Sequence, residues 1–271
     1  MSLNDFNLRI PYPDVFPPVW GSKLPGRDTM LFRNLDHFIY EVSHLTQKED
    51  QKCGMSYAAA LDLLKRRQSD FPETRQAEIR NLVRSNLHKR GLISEETYEA
   101  YRYSVDGTQV GVDVGKYANG EADCVITPAR HYVDFFHELY VSISYPWNVE
   151  NKEVRENTAK LLATVEELER QHIFIKITLV LPISGAKNNG SHFFSSIPLF
   201  SHKDFKSVEI MSAVINDRLL RKFYFAILEN LYQDEIAYGY GHPVDLDTAM
   251  CIGNTFDEIA FFQEVVLSVG A

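Results

Sequence analysis

Residues 65–90 hold eight basic side chains (Lys65, Arg66, Arg67, Arg75, Arg80, Arg84, Lys89 and Arg90) against three acidic ones (Asp70, Glu73 and Glu78), a net of +5. The remainder of the chain then carries −14, within a whole-chain charge of −9. Charge segregated in this way is the footprint a polyanion needs, because affinity for a phosphate backbone grows with the number of phosphates neutralised. Arg80, Arg84 and His88 recur every four residues, so on a helix they project as one stripe beside the apolar face. Tyr98, Tyr101, Tyr103 and Tyr117 follow. Cations for phosphate and aromatic faces for bases, at ~1–3 kcal/mol per stacked base, are what single-stranded nucleic acid uses. The candidate nucleic-acid-binding set is therefore Arg66, Arg67, Arg75, Arg80, Arg84, His88, Lys89, Arg90, Tyr101 and Tyr103. The competing reading is a solvated helix face with its tyrosines in the core, the commoner fate of a charge run.

Other chemistry is poorly supported. His131, Asp134, His137 and Glu138 are four possible metal ligands, but on a strand the spacing from His131 to Asp134 sends them to opposite faces. His242, Asp245 and Asp247 form a second polar cluster without a zinc-type spacing. No metal site is expected. No GxSxG and no Cys/His signature is present, and the carboxylate pairs Glu95-Glu96 and Glu166-Glu167 read as exposed and solvated. Neither GxxxxGK[ST] nor GxGxxG occurs, so no nucleotide cofactor is expected. Cys53, Cys124 and Cys251 are odd in number and widely spaced, against a disulfide framework or a thiolate site, and are expected to be reduced and buried. The expectation is a protein that is not an enzyme.

The elements that would position these groups follow from periodicity and punctuation. Residues 1–30, with Pro11, Pro13, Pro17, Pro18 and Pro25, read as an extended arm. Residues 31–125 read as a helical and β-hairpin region. Leu35 to Leu45 has helical spacing, Ser56 is an N-cap for a helix ending near Arg67, and Pro72-Glu73 opens a third helix, with Ile79, Leu82, Val83 and Leu87 as its apolar stripe, that Gly91 stops. Ser94-Glu-Glu-Thr opens a shorter helix. The strands Tyr101–Val105 and Gln109–Val114 flank Asp106-Gly107, a dipeptide favoured in tight hairpins. Residues 126–271 read as an α/β core. There Leu139 to Ser144 alternates as a strand, Val154 to about Gln171 is an amphipathic helix, and Ile173–Leu181 is a buried strand, together a βαβ unit. Phe193–Phe200 is a further strand, Met211 to about Asp234 a long helix, and Phe261–Val269 a closing strand.

Composition bounds the whole. At 271 residues, 45% hydrophobic and 24% charged, the chain can bury a core and is neither disordered nor fibrous. The start lacks the basic and apolar regions of a secretory signal, and no apolar run approaches the roughly 20 residues of a membrane span. A cytoplasmic protein is expected.

Leu139 to Leu181 resembles the first strand, helix and second strand of von Willebrand factor type A (VWA) domains of the cobaltochelatase-subunit and phage-encoded kind. Asn216-Asp-Arg-Leu-Leu-Arg-Lys-Phe-Tyr-Phe-Ala226 is similar to the helix motif of phage VWA-like proteins, and Val112–Glu121 to a segment that precedes the domain in them. The resemblance covers about half the chain and implies a VWA-like (Rossmann-type), mostly parallel sheet flanked by helices. That family's metal motif is Asp-x-Ser-x-Ser. Here Tyr140-Val-Ser142-Ile-Ser144 puts tyrosine at the aspartate, so a metal-dependent role is not implied. What the resemblance implies is a phage-encoded, non-enzymatic protein in the host cytoplasm that binds single-stranded DNA in transcription and recruits a protein partner such as a phage RNA polymerase. Two alternatives stand beside it. One is a protein-protein adaptor on a VWA-like scaffold, anchored by the proline arm and Trp147, without nucleic-acid binding. The other is a metal-dependent hydrolase built on His131, His137 or the cluster from His242 to Asp247.

Overall fold

The structure, a computed structural model, describes residues 28–45, 56–67, 71–93, 101–104, 111–112, 116, 118–119, 125–128, 134–146, 148–184, 192–204, 206, 210–211, 214–215, 219–231, 242–243 and 249–270. The expected helix at Ser94, most of the proline arm and the hairpin tip Asp106-Gly107 lie outside these residues.

Three helices open the chain after strand β1 (Asp28–Leu31): α1 (Leu35–Val42), α2 (Tyr57–Arg66) and α3 (Glu73–Lys89). Each starts where the sequence supplies a cap or a rigid turn. The Asn34 side chain accepts from the His37 N–H at 2.9 Å, and Ser56 Oγ accepts from Ala59 N–H at 3.2 Å. Pro72, in extended conformation, leads into α3. At the far end Gly91 takes φ of 69°; its N–H donates to His88 O at 2.8 Å and that of Leu92 to Leu87 O at 3.0 Å, the two bonds of a Schellman stop.

The remaining elements are β2 (Tyr101–Ser104), β3 (Gly111–Val112), β4 (Val125–Pro128), β5 (Phe135–Ser142), α4 (Asn151–Arg170), β6 (Ile173–Ser184), β7 (His192–Phe200), a π-helical turn (Leu219–Tyr224) leading into α5 (Phe225–Leu231), β8 (His242–Pro243), β9 (Met250–Cys251) and α6 (Glu258–Gly270). The fold is a mixed α/β sheet flanked by helices. Its strand order is β1-β7-β6-β5-β9, with β8 pairing β6. β5 and β6 pair in parallel over their length with α4 between them in sequence, as the βαβ reading requires. β1 with β7 and β5 with β9 are also parallel, whereas β6 pairs antiparallel with both β7 and β8.

One buried cluster joins both halves of the chain. Phe38 and Leu64 from the first helices share it with Phe193 of β7, Phe223 of the π-helical turn, and Ile175, Ile177 and Leu179 of β6. Phe38 and Tyr57 each meet the Phe223 ring edge-on, at 6.5 and 5.3 Å between centroids.

Three expectations are corrected. Tyr101–Ser104 and Gly111–Val112 do not pair as a hairpin; β4 lies between them and pairs antiparallel with each. A two-residue β3 offers little ladder, and the Val125-Ile-Thr run, rich in β-branched residues, takes the central place. Phe261–Val269 lies within helix α6. A short apolar run cannot be told from a buried strand by periodicity, and the deciding signal was Asp257, whose Oδ1 accepts from the N–H groups of Ile259 and Ala260 at 3.0 Å each. Leu82, expected in the apolar stripe of α3, is exposed; Gln76 is buried instead, its Nε2 donating to Phe71 O at 2.9 Å.

Candidate nucleic-acid interface

Helix α3 buries Gln76, Ile79, Val83 and Leu87, which places Arg80 and Arg84 on the flank next to that stripe. The flank borders α4, and its arginines pair across to that helix while staying partly exposed. Arg75 Nη2 lies 2.9 Å from Glu156, Arg80 Nε 3.0 Å from Glu166, and Arg84 Nε 3.9 Å from Glu167. The partners ascend together along both helices, so α3 and α4 run side by side in the same sense. Arg75 also pairs with Glu78 on its own helix, and Glu78 and then Glu156 hold its guanidinium above its ordinary pKa. Arg170 closes the far end, donating to Glu167 at 2.7 Å and to Glu166 at 2.8 Å.

The arginines of α2 are committed elsewhere. Arg66 pairs with Asp62 one turn back, and Arg67 Nη2 reaches Asp36 of α1 at 2.7 Å. Arg67 ends α2 at φ of 54°, a left-handed conformation for a residue other than glycine. At the C-terminal end of α3 the basic set continues with His88, Lys89 and Arg90, of which Lys89 and Arg90 are exposed, and no ion pair of either occurs among the described residues. Tyr101 and Tyr103 lie in β2, with side chains outside the described set. The expected stripe exists, then, but it is a seam between two helices whose charges cancel locally.

Glu167 is what sequence reasoning missed. Read as exposed and solvated, it is 5% exposed, and its burial follows from α3 docking over α4. Burial holds its carboxyl above the usual glutamate range, opposed by Arg170 and then Arg84. A raised folded-state pKa means that its stabilising contribution is fully present below the unfolded value and lost as pH rises through the folded one. Glu167→Gln is therefore expected to be at least as stable as the wild type near neutral pH. It should also lack the contribution that Glu167 makes as pH falls toward the unfolded-state glutamate value of about 4, read as the difference between the urea midpoints of the two proteins at each pH.

Tyr140 donates its hydroxyl to Glu138 at 2.9 Å, and Ser142 and Ser144 are buried. In doubly wound sheets a ligand sits at the carboxyl ends of strands where successive connections diverge. The corresponding place here, between β5 and β9, is filled by Tyr145, which is 3% exposed and packs against Gly253, and by the half-buried thiol of Cys251, its Sγ 3.5 Å from Ser144 O. Asn157 of α4 ties this end down, donating from Nδ2 to Ile252 O at 3.0 Å and Asn254 O at 2.9 Å. Of the candidate metal ligands, Asp134 pairs with His172 at 3.2 Å while the His137 ring lies 3.3 Å from Ser268 Oγ. Among the described residues no group of three or more His, Cys, Asp or Glu gathers. His131, Asp245, Asp247, Cys53, Cys124 and Trp147 lie outside the described residues.

The model of one protein family, the Domain of unknown function (DUF7192), matches residues 26–265. The chain belongs to the DUF7192 family. Comparison with curated proteins and with solved structures finds no match. The DUF7192 match begins just before β1 and ends inside α6, so the helices carrying the basic run and the sheet fall within one family unit. No described helix of this DUF7192 protein is long and apolar enough to cross a membrane.

Proposed function

We propose that the protein is a non-enzymatic docking protein that recruits a protein partner on a VWA-like, Rossmann-type scaffold. The observation that carries this reading is the commitment of Arg75, Arg80 and Arg84 to Glu156, Glu166 and Glu167. With those cations paired to carboxylates of the same chain, the face that would have met a phosphate backbone is a charge-compensated helix-helix joint on a chain of charge −9. The β5-α4-β6 unit supports the scaffold, and Tyr140 at the aspartate position of the metal motif favours a role without metal. A phage origin and a phage RNA polymerase as the recruited partner rest on the resemblance of Leu139 to Leu181 and Asn216 to Ala226 alone.

Binding of single-stranded DNA is the second reading, favoured by the exposed Lys89 and Arg90 at the end of α3. A mobility-shift titration with single-stranded oligonucleotides at roughly 50 and 200 mM salt separates the two. The docking reading expects no salt-sensitive retardation. A shift that weakens steeply between the two salts and disappears in the Lys89→Glu, Arg90→Glu double variant would establish the second reading instead. Reversing Arg80 and Arg84 is the wrong probe, because it would set glutamates against Glu166 and Glu167 and loosen the α3-α4 joint.

A further inference from the structure

Helix α3 is held differently from the helix it lies on. α4 is buried at Val154, Leu161, Leu162, Val165 and Leu168, whereas α3 buries four side chains over its 17 residues, and one of the four is the polar Gln76. The rest of its hold is polar and open to water. Arg75, Arg80 and Arg84 remain about half exposed while pairing with Glu156, Glu166 and Glu167, and Asn86 Nδ2 donates to Glu258 of α6 at 2.8 Å. Ion pairs at such exposure contribute little, and an element with few buried apolar side chains opens at a lower free energy than the core around it.

The pattern on α3 is that of a ligand helix. At about 100° of rotation per residue, Ile79, Val83 and Leu87 form one buried stripe, with Arg75 on one side of it and Arg80 and Arg84 on the other. A basic amphipathic helix of this kind docks by apolar anchors three or four residues apart, with its charges setting the choice of partner.

α4 supplies the matching seat. It meets both flanks of α3 with carboxylates, Glu156 at 2.9 Å from Arg75 on one side, Glu166 at 3.0 Å from Arg80 and Glu167 at 3.9 Å from Arg84 on the other. Lifting α3 does not strand the deeper pair. Glu166 and Glu167 keep Arg170 of their own helix, at 2.8 and 2.7 Å, so the uncovered seat carries no bare buried carboxylate.

We propose that α3 is a displaceable strap that occupies the seat of a partner: a basic amphipathic helix of another protein takes its place on α4, pairing with Glu156, Glu166 and Glu167. The proposal rests on the docking reading and names the surface, the chemistry of the partner and the contact that keeps the surface closed.

The test uses the full chain, amide exchange read by mass spectrometry, and a fluorescent capped peptide copying Glu73–Lys89 as the probe. In the free chain, amides of α3 should exchange through an opening of their own, at least about tenfold faster than those of β6. The peptide should bind and speed that exchange further, and the same peptide with glutamine at its three arginines should bind at least about tenfold more weakly. Arg80→Gln together with Arg84→Gln in the chain should open α3 more often, leave β6 protected and tighten peptide binding about tenfold. Exchange of α3 only together with β6, with no peptide bound, overturns the strap and leaves the docking reading standing. Equal binding of the arginine and glutamine peptides overturns the basic partner. Release of α3 by oligothymidylate and not by the peptide overturns the docking reading as well. Should the double variant lose β6 protection, the comparison of the two peptides on the wild-type chain decides alone.

Discussion

Gly253→Ala is expected to destabilise the folded chain by about 3 kcal/mol, near the upper end for an overpacking substitution. A Cβ added at Gly253 would stand far inside van der Waals contact of Tyr145 Cβ and 3.1 Å from Tyr145 Cγ. Neither side has room to give: Tyr145 is buried, and the backbone at Gly253 is held by the turn after β9, where Asn254 N–H donates to Cys251 O at 3.1 Å. In thermal unfolding a loss of that size lowers the midpoint by roughly 6–12 °C. Because the clash falls on the first side-chain carbon, Tyr145→Ala retains the offending atom and should not rescue Gly253→Ala. Tyr145→Gly should rescue part of it. Rescue by the alanine variant would show that the ring, and not the backbone approach of β5 to β9, sets the constraint.

The second large effect is at Asn157, 4% exposed on α4. Its amide donates to Ile252 O and Asn254 O and so ties the central helix to the β9 turn. Asn157→Asp keeps the shape and removes both donors, placing a carboxylate against two carbonyl oxygens. The expected loss near neutral pH is about 3 kcal/mol or more. The new carboxyl would have a raised folded-state pKa, because burial and the carbonyls disfavour its charge, so the deficit should shrink as pH falls and the protonated acid regains one donor. Urea denaturation of Asn157→Asp and Asn157→Ala at neutral and acidic pH reads this directly. The aspartate variant should recover on acidification and the alanine variant should not.

Helix α3 and the β5-α4-β6 unit were legible because their signals are local: a proline and glutamate to start, a glycine to stop, and an amphipathic helix between an alternating strand and a nearly continuous apolar one. The fate of the basic stripe was not legible, because it depends on which helix packs beside α3. Glu166-Glu167 looks solvated on its own helix, and only the docking of α3 makes Glu167 a buried partner of Arg84 and Arg170. The same reason hid α6. The capping side chain of Asp257 was visible, but an apolar stretch of that length fits a strand or a helix until its packing partners are known.

The joint between α3 and α4 has an electrolyte consequence. Its charged contacts lie in partly exposed positions, with about 40–60% of the side chain accessible at Arg75, Arg80 and Arg84, where mobile ions weaken such attractions. Raising ionic strength therefore loosens the grip of one helix on the other within a single molecule. A salt response of this protein has an intramolecular source, present before any ligand is added.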